Sequence, residues 1–345
     1  MMITQRVSPS IRVACAFGLL ACSPASADEG GVSFWIPGFF GSLAATPQQP
    51  GWSLATIGYH TSVKAGGDVG FARQVSRGQL TANLSATIDV ALDADATLAI
   101  AVPTYVFQTP VLGGQAAVAL LVPYGRNEAS VDATLTGALG PIPFTISGGR
   151  RDGVSGFGDL VPMFSLRWNQ GVHNWMTYVS GNVPIGRYDS RRLANLGIGH
   201  QSIDAGGGYT YLDQKTGQEF SAAGGFTYNF ENPYTDYQNG VDFHLDAAAS
   251  RFLSKQLMIG VVGYAFQQLS ADTGARNRVG AFMSRVFGAG PQIGYIFPLG
   301  ERQQGYLNLK AYKEFGAEHR PEGWNIWLTF AISPAPQTTQ QTAKH

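Results

Sequence analysis

Residues 201–246, QSIDAGGGYTYLDQKTGQEFSAAGGFTYNFENPYTDYQNGVDFHLD, decide the fold. Taken in steps of two, Ile203, Ala205, Gly207, Tyr209 and Tyr211 fall on one side, and Ser202, Asp204, Gly206, Gly208 and Thr210 on the other. After a turn at 213–217, Phe220, Ala222, Gly224, Phe226, Tyr228 and Phe230 oppose Glu219, Ser221, Ala223, Gly225, Thr227, Asn229 and Glu231. A third run sets Val241, Phe243, Leu245, Ala247 and Ala249 against Asp242, His244, Asp246, Ala248 and Ser250. A period of two marks strands with one apolar and one wet face. The wet face holds carboxylates at mid-strand, which a soluble sandwich would bury only with partners. A transmembrane antiparallel β-barrel, with lipid outside and water inside, accounts for both faces.

Composition agrees with an exported all-β chain. The sequence balances 23 basic against 23 acidic residues and has no basic stretch, so nucleic acid is not an expected partner. Its 44 glycines lack a collagen period and suit tight turns and closely packed strands. Residues 1–27 read as a signal peptide: Arg6 and Arg12 precede the apolar run 13–21, and Ala25-Ser26-Ala27 forms a small-residue cleavage site. Leu19-Leu20-Ala21-Cys22 also matches a lipoprotein box, and either route exports the chain. Cys15 and Cys22 lie in that leader, so the mature chain has no thiol for a disulfide or metal site. Past the leader no run of eighteen apolar residues exists, which leaves strands as the means of spanning a membrane.

Residues 28–50 carry Phe34, Trp35, Phe39 and Phe40 but are broken by Pro37 and Gly38; they are expected at or in the periplasmic mouth, as a plug or as a leader on the rim. The barrel is expected over 51–333 with about fourteen strands, twelve at the least. Expected strands are 52–64, 79–90, 97–107, 115–124, one between 130 and 147, 158–169 and 173–187. The three opening runs follow, then 256–269, 285–299, 305–315 and 324–332. Short turns at Asp93, Asn169, Asp213, Ser254 and Glu301 alternate with longer connections at 66–77, 148–156, 189–199, 232–240 and 272–284. Short periplasmic turns and long external loops are the outer-membrane pattern, and an even strand number leaves both termini in the periplasm. The tail 334–345 is polar, carries proline and is expected to be disordered.

The stretch 209–274, together with EGGVSFWIPG at 29–38, Pro50-Gly51-Trp52, Gly156-Phe157-Gly158-Asp159, Pro184-Ile185-Gly186-Arg187-Tyr188 and GPQIGYIFPLG at 290–300, resembles the outer-membrane transporter family named for the meta-pathway of phenol degradation. The resemblance spans most of the mature chain, and its specificity lies in the combination. It implies an outer-membrane β-barrel of a Gram-negative cell associated with aromatic or other hydrophobic compounds. One departure is the tail after the last strand, which leaves Phe330 to serve as the aromatic assembly signal from inside the chain.

No nucleophile elbow, H-E-x-x-H, P-loop or dinucleotide fingerprint occurs, so no enzyme, cofactor or metal is expected. Asp242, His244 and Asp246 share one wet strand face at spacings of about 6.6 to 6.8 Å, close enough for a proton or ion network, or simply a hydrated wall. Asp89, Asp159, Arg167, Asp204, Glu219 and Lys310 are placed on the same lumen face, where they brace the barrel or meet solute. Gly206-Gly207-Gly208 and Gly224-Gly225 suit either a bulge or kinked wall through which a hydrophobic solute leaves sideways into lipid, or simply close packing and curvature. The expected function is passive uptake or efflux of small hydrophobic or aromatic molecules; the alternatives are an outer-membrane lipid hydrolase and a structural or adhesive barrel. Expected partners are outer-membrane lipid, such a solute and the barrel-assembly machinery.

Overall fold

A computed structural model describes residues 33–336 apart from 78–79, 140 and 275–282, with the backbone alone at 67–77, 80–86, 88 and 139. The expected signal peptide, the lipoprotein box and most of the expected tail lie outside the described residues. The strands are β1 (Gly51–Arg77), β2 (Leu80–Val106), β3 (Gln115–Leu139), β4 (Ile142–Phe157), β5 (Val161–Gln170), β6 (His173–Gly181), β7 (Ser202–Asp213) and β8 (Gln218–Asn229). They continue as β9 (Tyr237–Gln238), β10 (Asp242–Phe252), β11 (Leu257–Gln268), β12 (Thr273–Gly274), β13 (Arg285–Leu299), β14 (Gln303–Glu318) and β15 (Glu322–Pro334).

Neighbours pair antiparallel, and the ring closes where β1 meets β15, from Leu54 opposite Ile332 to Lys64 opposite Glu322. Twelve strands make the closed barrel, the lower end of the expected range. A thirteenth, β4, pairs with β3 alone, from Tyr124 opposite Phe157 to Leu139 opposite Ile142, directly above the short β3–β5 ladder. The two-residue strands β9 and β12 pair with each other between the long connections.

Alternation sorts the side chains as the sequence requires. Ile203, Phe220, Phe226, Tyr228, Val261, Ile293, Leu309, Leu328 and Phe330 are exposed on the outside, while Asp204, Thr210, Glu219, Thr227, His244, Asp246, Asn308, Lys310 and Asn325 are buried within. Outward aromatics gather in two belts. One holds Trp52 against Tyr105, Trp175 against Tyr209 and Tyr295 against Phe297. The other holds Tyr124 against Phe157, Tyr228 against Phe230, Phe287 against Phe315 and His60 against Trp324. Two girdles around an apolar band are what a bilayer's two interfaces select. Both β1 and β15 meet the short-turn end, which is therefore periplasmic.

Above the outer girdle the wall is unequal, and strands run on where the sequence predicts turns and loops. Asp93-Ala94-Asp95 is no turn: β2 runs through it, with Lys64 Nζ 2.6 Å from Asp93 Oδ1 across the ladder. The connections expected at 66–77 and 148–156 are strand as well, and β3 ends at Leu139 while β4 begins at Ile142. As a result β1, β2, β3 and β4 rise as a four-stranded sheet beyond the membrane, where carboxylates on the outward face meet water and cost nothing to expose.

Candidate functional site

The lumen is filled by residues 33–50, which enter at the periplasmic end and climb the inside of the wall. Ile36 O accepts a 3.2 Å hydrogen bond from Phe39 N, and Gly38 between them has φ +89°, a turn that Pro37-Gly38 favours. A Cβ at Gly38 would also lie 3.1 Å from the Tyr312 ring, so glycine is required there on two counts.

Barrel side chains hold this turn by its backbone. Asp246 accepts from Gly38 N at 2.8 Å and from Phe40 N at 3.0 Å. Lys310 Nζ donates to Gly38 O at 2.6 Å and Phe40 O at 3.0 Å. One side of the turn thus meets an anion and the other a cation, each satisfying the groups that an irregular buried backbone leaves open. Further down, Glu219 accepts from Leu43 N at 2.9 Å and Ser42 Oγ at 2.7 Å, Thr210 Oγ1 from Ala45 N at 3.1 Å, and Gln292 Nε2 donates to Ser42 Oγ at 2.7 Å. Gln48 exchanges two hydrogen bonds with Gln115 near the mouth.

The aromatic residues of the segment divide. Trp35 stacks flat on His244, ring centroids 3.8 Å apart at 13°, with Phe40 and Tyr178 beside it. His244 Nε2 lies 2.9 Å from Asp204 Oδ2, which also accepts from Thr227 Oγ1 at 2.6 Å. Gly225 gives this cluster its room: a Cβ there would collide with Tyr178 Oη and sit 3.0 Å from His244 Nε2. Close packing is therefore the role of the glycine pairs, and β7 and β8 pair without a bulge. Phe39 turns the other way, 6.4 Å from the Trp327 ring, and with Ile36 packs against the buried cluster that includes Ile57, Ile100, Val102, Phe266 and Trp327. Ser33 Oγ donates to Trp35 O at 2.7 Å next to Phe34, whose ring makes no stacking contact among the described residues.

The remaining sequence candidates separate. Asp242 accepts from Asn229 Nδ2 at 2.9 Å, one register above His244. Arg167 faces inward at the β3–β5 ladder, where Nη1 donates to Ser165 Oγ at 2.7 Å. Asp159 belongs to the outer rim: it accepts from Gly186 N, Ile198 N and Asn182 Nδ2 and so pins the β6–β7 connection. Asp89 sits on the raised sheet, exposed, in the outward phase of β2 opposite to that of Ile100 and Val102. The backbone partners at 38–45 are not legible in the sequence, because amide donors have no side-chain signature; alternation places Thr210 on the wet face without pointing to Ala45 N as its partner. Two recesses flank Pro47 at the periplasmic mouth, of about 590 Å³ and 250 Å³, sharing Asn169 in their linings.

The hydrogen bonds that hold 33–50 go, among the described residues, to β3, β7, β8, β10, β13 and β14. Toward β1, β2 and β15 no hydrogen bond leaves 33–50 among the described residues, and Ile36 and Phe39 pack there against the apolar cluster that holds Ile57, Ile100 and Trp327.

A model of the family described as "Putative MetA-pathway of phenol degradation" matches residues 77–330, leaving β1 up to Ser76 and the lumen segment outside the match. Among solved structures, an outer membrane channel from Pseudomonas putida F1 is similar at a TM-score of 0.57 and 13% identity, over 87% of this chain and 100% of that one. A FadL homologue from Pseudomonas aeruginosa is similar at a TM-score of 0.39 and 9% identity, over 82% of this chain and 89% of that one. A search of curated proteins finds no match.

Proposed function

From the premise that this chain belongs to the family described as "Putative MetA-pathway of phenol degradation", we propose that its barrel is an outer-membrane channel through which small hydrophobic or aromatic molecules pass downhill. The observation that carries the reading is the two-sided seal around 33–50. On the β7, β8 and β10 side, displacing the segment strands buried donors and carboxylates, at about 1–3 kcal/mol for each group left unpaired. On the β1, β2 and β15 side, Ile36 and Phe39 lie against Ile57, Ile100 and Trp327 with no polar bond to break. An apolar solute inserted there exchanges one set of dispersion contacts for another, whereas water or an ion would lose its hydration.

The segment thus acts as a plug hinged on its polar side and yielding on its apolar side. The carboxylates and Lys310 act by holding the plug, and Trp327, Phe39, Ile57 and Ile100 line the route. No energy-coupling element is needed for such passage, and direction follows the gradient. Cells lacking the protein should accumulate labelled naphthalene several-fold more slowly than complemented cells at limiting external concentration. Equal rates in the two strains would remove the proposal.

A further inference from the structure

Beyond the outer girdle, β1, β2, β3 and β4 form one sheet with unbroken register, so each residue's face is fixed by its parity down to the barrel wall. Below, Ile100, Leu98 and Leu121 face the lumen and join the cluster around Trp327. The same parity carried upward gives Val90 and Leu92 on β2, Val131, Ala133 and Leu135 on β3, and Phe144 and Ile146 on β4. The opposite parity gives Asp89, Asp93, Asp95, Asp132, Thr134 and Arg151. Within the bilayer the outside is apolar; above it the outside is charged, and the inside, past Asp152 and Arg150 at its foot on β4, is apolar. Lipid therefore does not explain this face, because lipid would meet the other one. Val90, Leu92, Val131, Ala133, Leu135, Phe144 and Ile146 each keep part of their surface exposed, so the described residues do not close over them.

We infer that the inward face of the raised β1–β4 sheet is a docking surface for small uncharged hydrophobic solutes, which collect there and move down it to the apolar side of the plug. This rests on the channel reading above. Three features select that occupant. The face is continuous with the lumen route through Leu98 and Ile100 rather than with the lipid surface. Above the Val131–Arg150 pair, where the Arg150 guanidinium is turned to Arg191 O, its described positions bear no charge to fix an ionic head group. Its polar reverse side keeps the sheet standing in the aqueous, sugar-rich layer outside the membrane instead of lying on the bilayer.

The test uses full-length protein in detergent and in liposomes, with folding of each variant verified by its heat-dependent mobility shift. An indole introduced by A133W should be quenched by 1-bromonaphthalene at least twofold more than one introduced by T134W on the reverse face, after subtraction of the wild-type signal. In cells, Leu92→Asn and Leu135→Asn should raise the half-saturating naphthalene concentration at least threefold with the maximal rate unchanged, whereas T134N should do neither. Equal quenching on both faces overturns the inference. So does quenching of A133W by brominated phospholipid chains in place of the free aromatic, which would make the occupant lipid, or its burial in a concentration-dependent dimer, which would make it a second copy. Unchanged uptake in both leucine variants also overturns it. If wild-type protein moves no naphthalene at all, the channel reading fails, while the quenching comparison still decides whether the face binds.

Discussion

Asp246 and Lys310 act on the two sides of a single turn, and their contributions should be coupled. In Asp246→Asn the shape is kept, but one of the two acceptors becomes an amide donor aimed at a backbone N–H. Hydrogen bonds to a charged partner are worth about 1.5–3 kcal/mol, so the plug turn should open about tenfold or more often. K310M removes three carbonyl contacts and also leaves the buried carboxylate without its cation. Of the two it should be the more damaging, and the double variant should cost less than the sum because no lone charge then remains. Single-channel recording of spontaneous openings gives these numbers directly. Strictly additive effects would mean that the two residues do not share one turn.

The β6–β7 connection shows the same economy at the level of an element. Asp152 on β4 receives Arg192 Nη2 at 2.5 Å and Nε at 3.1 Å, and also Leu193 N at 3.1 Å. The Arg192 guanidinium holds the Asp152 carboxyl well below the usual carboxylate range. A depressed folded value means that the tether is fully present above the unfolded value of about 3.9 and is lost only as pH falls through the folded one. Amide exchange at 193–196 should therefore show the same protection, after correction for intrinsic rates, from pH 7 to pH 4. D152N should exchange several-fold faster throughout that window, and a wild-type loss of protection near pH 5 would contradict the assignment. Elements of this kind were partly legible in advance. Alternation placed β6, β7, β8, β10, β11, β13, β14 and β15 because, within lipid, a misphased strand would expose a carboxylate to hydrocarbon. It failed at Asp93 and at 66–77, where the strands stand in water and polar residues at either phase are tolerated, so strand and turn look alike. Likewise Asp204, Glu219, His244 and Asp246 announced an inward face, while their link to the plug did not show. Gly38 and Asp246 are 208 residues apart, and the group that Asp246 grips is backbone.

For the molecule as a whole, barrel and plug should be separable. Every strand of the ring is held by ladder bonds to its two neighbours, and the closing β1–β15 ladder from Leu54 to Lys64 uses no residue of 33–50. What the plug supplies is burial for Ile57, Ile100 and Trp327 and partners for Glu219, Asp246 and Lys310. Deleting residues 33–49 lets water into the lumen, so those charges become hydrated rather than stranded, and the cost is the exposed apolar wall at about 25 cal/mol per Å². The deletion should still run as a compact species before boiling, with its heat transition lowered, because a closed ladder in lipid has no unsatisfied edge to open. Conductance to small ions should rise at least several-fold, since the apolar seal that excludes them is gone, while naphthalene flux should rise much less because the wild-type seal already admits it. If the deleted protein loses its heat-dependent shift, the segment is a core that the barrel needs in order to close, and the hinge argument fails with it. If ion and naphthalene fluxes rise together, the apolar side of the plug confers no preference, and the route along Ile57, Ile100 and Trp327 is not the one that solutes take.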